Sequence, residues 1–209
     1  MPGAPERRSC KYAACAQPLA YSEWTLYQRG AWYYAHEGAT LELFNGLRSD
    51  LDAMALGFYF AELTEAVTTE ESVSEELLRH MLNGLYALAT LHKPPLLAKA
   101  AFELKLLSLA GYEPLLDGCA YCGQPIRKIR CWMWCRVSCA AEAAEQGESG
   151  LSMPLCKDSL AAARHIVYGN PKRLYYLTLG PQAQKRLSGA SEAFVAAQLE
   201  RGFRTLGLL

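Results

Sequence analysis

Asp117-Gly118-Cys119-Ala120-Tyr121-Cys122-Gly123-Gln124-Pro125, followed by Cys135-Arg136-Val137-Ser138-Cys139, is the stretch on which the reading of this chain turns. The glycines and the proline permit a tight turn that aims Cys119 and Cys122 at one point, and a second pair downstream completes a tetrahedral donor set for zinc. Cys119, Cys122, Cys135 and Cys139 are therefore the candidate ligands. Cys131 and Cys156 are rivals for the second pair, because its spacing of three is looser than the usual two. Zinc held by four thiolates has no open position for water or substrate, so it staples a fold and activates no nucleophile. Two other readings compete. A buried free cysteine behaves as a small hydrophobe, and a redox C-x2-C pair requires a strand before a helix, whereas a helix precedes this one.

Working outward, Arg127, Lys128, Arg130 and Arg136 lie among the cysteines, with no carboxylate between Asp117 and Glu142. Such cations either balance the charge of a four-thiolate zinc site or contact phosphates, with Tyr121, Trp132 and Trp134 as stacking surfaces. An acidic stretch, Glu62 to Glu76, reads as a solvated face. The chain is 51% hydrophobic over 209 residues and formally neutral, enough for one sizeable core or two smaller ones. A secreted disulfide scaffold is disfavoured despite eight cysteines, since that class is short and poor in core residues. No apolar run approaches the roughly 18 residues of a membrane span, and the basic first ten residues lead into no apolar segment. The expected compartment is the cytoplasm.

The period of the sequence changes along the chain. Trp24-Thr25-Leu26-Tyr27, Ala31-Trp32-Tyr33-Tyr34 and Thr40-Leu41-Glu42-Leu43-Phe44, separated by turns at Arg29-Gly30 and Glu37-Gly38, predict a three-stranded antiparallel meander. From Asp50 to Val67 the residues are apolar on most faces, which predicts a central buried helix. Ser72-Val73-Ser74-Glu75 resembles a capping box ahead of a periodic Leu77-to-Leu88 helix. Pro94-Pro95 starts a third helix that Gly111 ends. Asp158 or Ser159 caps a fourth, through Tyr168, and a last helix runs from Pro181 to about Thr205. The fold class is mainly α with a small β portion.

Several strings together resemble the RecO family of bacterial recombination mediators. Gln17-Pro18-Leu19 with Glu23-Trp24-Thr25-Leu26-Tyr27 looks like that family's exit from its oligonucleotide-binding (OB) barrel. Leu43-Phe44-Asn45-Gly46-Leu47-Arg48-Ser49-Asp50 looks like its entry into the helical domain. Ala101-Phe102-Glu103-Leu104-Lys105-Leu106-Leu107, Ala110-Gly111-Tyr112-Glu113-Pro114 and the Cys119 string are more specific, and Glu200-Arg201-Gly202-Phe203-Arg204 resembles the family's ending. The resemblance implies a partial OB fold over 1–47 and a helical domain over 48–209 with a zinc finger at about 117–140. Family members carry further strands ahead of the Gln17-Pro18 motif, so an incomplete barrel is expected.

The function the resemblance implies is DNA repair and recombination without enzymatic chemistry. It comprises binding of single- and double-stranded DNA, annealing of strands and help in loading RecA at the nucleoid. The implied partners are RecR and the acidic-hydrophobic tail of the single-stranded DNA-binding protein, with zinc as structural cofactor. Candidate nucleic-acid contacts are Trp24, Arg29, Arg127, Lys128, Arg130 and Arg136, with Tyr27, Trp32, Tyr33 and Tyr34 as further stacking candidates and Arg7, Arg8 and Lys11 in a basic terminus. Lys99 and Lys105 are candidates for a cationic rim around the tail. The competing reading is a zinc-stapled helical interaction subunit without direct DNA contact. An enzyme is disfavoured: His36, His80, His92 and His165 are scattered with no nucleophile partner, and no phosphate-cradling Gly-rich loop is present.

Overall fold

The computed structural model describes residues 12–68, 74–119, 131–133, 138–140, 152–153 and 155–208. It divides into a β unit, residues 1–45, and a helical unit, residues 46–209. The fold is mainly α, with a two-stranded antiparallel sheet in the N-terminal unit.

The β unit is built on a hairpin, not the three-stranded meander expected. Strand β1 (Tyr21–Arg29) turns at Gly30-Ala31 into β2 (Trp32–Glu42). Gly30 takes φ +63°, a left-handed conformation that suits a tight hairpin turn. Glu37-Gly38 does not turn the chain. Gly38 lies opposite Trp24 in the register, and a Cβ there would sit 3.0 Å from the Trp24 ring. That glycine makes room for an indole. The two extra residues on β2 are absorbed as irregularities between Thr25 and Leu26, where His36 is skipped in the pairing, and between Tyr21 and Ser22, where Leu41 is skipped.

A 3-10 turn at Asn45–Ser49 leads into the helical unit. Helix α1 (Leu51–Val67) starts where the Asp50 carboxylate accepts from the amides of Asp52 and Ala53 at 3.0 and 3.2 Å. Helix α2 (Glu75–Ala89) is capped by Ser74, whose hydroxyl accepts from the Leu77 amide, two residues beyond the Ser72 at which the expected capping box begins. Helix α3 (Pro95–Leu109) has proline in its first turn and is followed by Gly111 at φ +93°. Helix α4 (Lys157–Tyr168) is capped by Cys156, two or three residues before the Asp158 or Ser159 that the sequence suggests. The Ser159 hydroxyl instead serves as the reciprocal partner, accepting from the Cys156 amide at 2.8 Å. Helix α5 (Pro181–Leu199) stops earlier than expected, at Glu200, which adopts φ +48°. Among the described residues no helix is long and apolar enough to cross a membrane.

The central element is α3, not α1. It packs against α1, α2, α4 and α5, and Leu97 through Leu104 are all buried. Ala98, Ala100 and Ala101 let neighbouring helices approach closely on several sides. Helix α1 carries bulkier side chains and leaves Leu51 87% and Phe58 36% exposed. At the heart of the core, the Phe102 ring stacks on Phe60 with centroids 3.8 Å apart and on His80 at 4.5 Å. Gly84 of α2 makes this possible, because a Cβ there would lie 2.7 Å from Phe102.

Between α3 and α4 four short strands form a second sheet, β3 (Leu115–Cys119), β4 (Cys131–Met133), β5 (Ser138–Ala140) and β6 (Ser152–Met153), in the order β3-β5-β4-β6. Strand β3 is tied to α4 by Arg164, which donates twice to the Leu116 carbonyl at 3.0 and 2.7 Å, and by Tyr168, whose hydroxyl donates to Pro114 and accepts from the Leu116 amide.

Candidate nucleic-acid interface and cysteine centre

The hairpin register sorts the aromatic residues. Residues directly opposite in an antiparallel pair share a face, so Tyr27 with Tyr34 and Arg29 with Trp32 lie together at the turn end of one face. The rings of Tyr27 and Tyr34 stack at 5.4 Å and His36 meets Tyr27 edge-on at 6.2 Å. All are exposed, Trp32 at 72%. Tyr33, opposite Gln28, belongs to the other face. Trp24 falls there as well, half-buried against Tyr12 at 5.5 Å and hemmed in by Gly38. Of the stacking candidates, Trp24 thus forms the small core of the hairpin. Tyr27, Trp32 and Tyr34 meet solvent beside Arg29. The charge of this unit is unexpected: among described residues 12–45 there are three carboxylates, Glu23, Glu37 and Glu42, and one guanidinium, Arg29.

The cysteine strands are described as backbone. Strand β3 runs parallel to β5 with Cys119 opposite Cys139, the first and last members of the four-thiol set. In the antiparallel β4–β5 pair, Cys139 is opposite Trp132 and Cys131 is opposite Ala140. The backbone thus brings Cys119 and Cys139 to one register position. Cys122, Cys135, Arg127, Lys128, Arg130 and Arg136 lie outside the described residues, as do Arg7, Arg8 and Lys11. Cys156 has a different task as the α4 cap, with its sulfur 3.2 Å from the Ser159 hydroxyl. Burial raises that thiol's pKa, but hydrogen bonds from Ser159 and Asp158 and the charge of Arg186 outweigh it and hold the group below its ordinary value.

Lys99 and Lys105 are both committed inside the helical unit. The Lys99 ammonium is 2.9 Å from Glu103 and 2.8 Å from Glu192. Glu103 is fully buried and also accepts from the hydroxyls of Tyr59, at 2.6 Å, and Ser191. Burial pushes the Glu103 carboxyl up, and the Lys99 charge is the chief counterweight. Burial likewise raises Tyr59, reinforced by Glu103. Lys105 donates to the Val167 carbonyl at 2.9 Å. Periodicity could not reveal this cluster, because Lys99 and Glu103 read as an ordinary exposed i,i+4 pair.

Two clefts flank these lysines. One, of about 280 Å³, is lined by Asp52, Leu56, Pro95, Leu96, Lys99 and Glu192, among others. The second, of about 230 Å³, is bounded by Glu76, Arg79, Lys105, Leu109, Pro171 and Leu174, with His80 and Asn83. His80 is structural: burial pushes it down to about 4, so it is neutral at physiological pH, and its Nε2 lies 3.0 Å from the Phe102 carbonyl. His165 Nε2 lies 3.2 Å from the Arg173 carbonyl.

The C-terminal segment is held by a residue the sequence reading left in a solvated acidic run. Glu62 of α1 accepts from the Arg204 and Thr205 amides at 3.1 and 3.0 Å and from the Thr205 hydroxyl. The Thr205 hydroxyl and amide hold its carboxyl down at about 2. Phe203 meets Tyr59 edge-on at 5.8 Å beside this anchor.

Comparison with known proteins agrees with this architecture. The family model for the C-terminal part of recombination protein O matches residues 48–207, almost the whole helical unit. The chain is 23% identical over 196 residues to the DNA repair protein RecO of Acetivibrio thermocellus, covering 94% of this chain and 78% of that protein. It is 25% identical over 199 residues to RecO of Symbiobacterium thermophilum, covering 93% and 78%. It is 31% identical over 126 residues to RecO of Clostridium novyi, covering 60% and 49%. Matched across its helical unit and along most of its length, the chain belongs to the recombination protein O (RecO) family.

Proposed function

We infer that this protein is a DNA repair and recombination mediator that acts in the cytoplasm at the nucleoid, by binding and not by catalysing a bond change. Family membership and relatives named as DNA repair proteins support the role. The observation that carries a DNA contact is the exposed face of Tyr27, Trp32, Tyr34 and Arg29. Each ring offers an unpaired base a stacking surface worth about 1–3 kcal/mol, whatever the base. A surface that holds unpaired bases open is suited to annealing strands and to handing single strands to RecA.

Zinc in this reading is a staple, held by Cys119, Cys122, Cys135 and Cys139, and it supplies rigidity with no open coordination position. RecR and the single-stranded DNA-binding protein's tail are the proposed protein partners. For an acidic and apolar tail, the cleft with Arg79, Lys105, Leu109, Pro171 and Leu174 is the better chemical match, since Glu76 is its one lining carboxylate, whereas the other is edged by two, Asp52 and Glu192. The competing interaction-subunit reading draws support from the carboxylate excess of the hairpin unit. Filter binding of labelled single-stranded oligonucleotides at two salt concentrations separates them. Salt-sensitive retention that falls in a Tyr27→Ala, Tyr34→Ala variant is expected, and no specific retention at low salt would sink the mediator reading.

A further inference from the structure

Phosphate binding needs cations, and the hairpin unit has one among its described residues. The helical unit has them elsewhere. Residues 159–191 contain Arg164, Lys172, Arg173, Lys185 and Arg186 and no carboxylate at all, with Lys157 just before. Arg164 is spent on Leu116 and on Asp117 at 3.4 Å. The other five have no carboxylate partner among the described residues, and all are exposed except the half-buried Arg186.

The fold gathers these five along α4. At its N-terminal end is Lys157, and α5, which carries Lys185 and Arg186, packs against α4 and against β6 just ahead of it. At the C-terminal end, the 3-10 turn Pro171–Arg173 is pinned by the contact of His165 with the Arg173 carbonyl. Just beyond it Tyr176 is 72% exposed, with the Lys93 ammonium over its ring at 5.9 Å. Beyond Lys157, the exposed residues of α4 are Asp158, its one acid, Ala161 and Tyr168. Glu76 and Arg79 of α2 border the cleft next to Pro171. Twelve residues of helix separate the two cationic ends by about 18 Å, a span over which duplex DNA presents roughly ten backbone charges.

We propose that Lys157, Lys185 and Arg186 at one end and Lys93, Lys172 and Arg173 at the other form a strip that grips the phosphate backbone of duplex DNA, apart from the aromatic hairpin that takes unpaired bases. It rests on the DNA-binding reading above and divides the labour of that reading between two chemically different surfaces. The hairpin has rings and little positive charge. The strip has fixed positive charge on helix and turn backbone, and Tyr176 is its one strongly exposed ring.

The test is fluorescence anisotropy of the full chain with a labelled duplex and with its single strand across a salt series. Lys172→Ala, Arg173→Ala and Lys185→Ala, Arg186→Ala are the two double variants. At Lys172 and Arg173 the local hydrogen bonds are made by backbone, to Asn170 and His165, so side-chain truncation preserves the turn. An unchanged melting temperature checks that. Each double variant is expected to lower the slope of log K for duplex against log salt by about 1.8, so that a rise from about 50 to about 200 mM costs it roughly tenfold less affinity than the parent. Tyr27→Ala, Tyr34→Ala should weaken single-strand binding and leave the duplex slope intact. Parent-like duplex slopes in both lysine-arginine variants, with the parent protein binding DNA, overturn the strip and spare the general reading. A parent protein that binds neither DNA overturns both.

Discussion

Replacing Lys99 by Met isolates the buried ionic cluster, because Met keeps most of the aliphatic stem and removes the ammonium. Glu103 would lose the cation 2.9 Å away and keep only the hydroxyls of Tyr59 and Ser191, in a site with no access to water. Removing one member of a buried pair costs about 3–5 kcal/mol, a large share of the roughly 5–15 kcal/mol that holds a domain together. The loss is pH-dependent with a defined sign. Burial already raises the Glu103 carboxyl in the folded state, and without Lys99 it rises further. A carboxyl whose folded pKa lies above its unfolded value stabilises below the unfolded pKa and loses that contribution as pH climbs through the folded one. The deficit of Lys99→Met should therefore widen toward alkaline pH, by up to about 1.4 kcal/mol per pH unit while Glu103 titrates. Adding Glu103→Gln removes the charge that needs the cation and keeps an acceptor for Tyr59 or Ser191, so the double variant should be more stable than Lys99→Met alone at pH 8. Urea melts of both variants, at pH 6 and pH 8, measure this. A Lys99→Met penalty under about 1 kcal/mol, or a double variant less stable than the single, would refute the account of the cluster as a charge-compensated core.

Glu62→Gln should release the C-terminal anchor. With its carboxyl held at about 2 against an ordinary 4.5, Glu62 contributes stability that is present above the ordinary value and is lost as pH falls through that interval. The variant should exchange the Arg204 and Thr205 amides faster at neutral pH and lose this acid dependence, as read by hydrogen exchange. For the cysteines, Cys119→Ser, Cys139→Ser is expected to abolish bound zinc and to unfold at lower temperature, whereas Cys131→Ser keeps full zinc. Metal analysis of the purified proteins checks both, and full zinc in the double serine variant would remove the four-thiol assignment.

What the sequence disclosed tracks the range of the interactions involved. Helices α2 and α3 were legible because Ser74, Pro95 and Gly111 act within one turn of the chain. The family was legible because Phe102-Glu103-Leu104-Lys105 and the Cys119 string are local words. Gly38 suggests a turn by its type, but its small size answers to Trp24, fourteen positions earlier and across the hairpin. Mean apolarity favours α1 as the central helix, whereas the alanines of α3 matter through the spacing between helices. Lys99, Glu103 and Glu62 were invisible for a related reason: their partners, Glu192, Ser191 and Thr205, lie 88 to 143 residues away. The stacking face needed the register, which alternation alone does not supply.

The bond between Glu62 and Thr205 also bears on how the protein is made. A ribosome delivers α1 early and Thr205 more than 140 residues later, so through most of translation Tyr59 waits without Phe203 and the anchor beside it. Nascent α1, with the apolar Leu51 and Phe58 on its surface as well, is the segment on which a chaperone would find its longest-lived grip. A chain released before Arg204 would leave the helical unit with its first helix formed and its last clasp open.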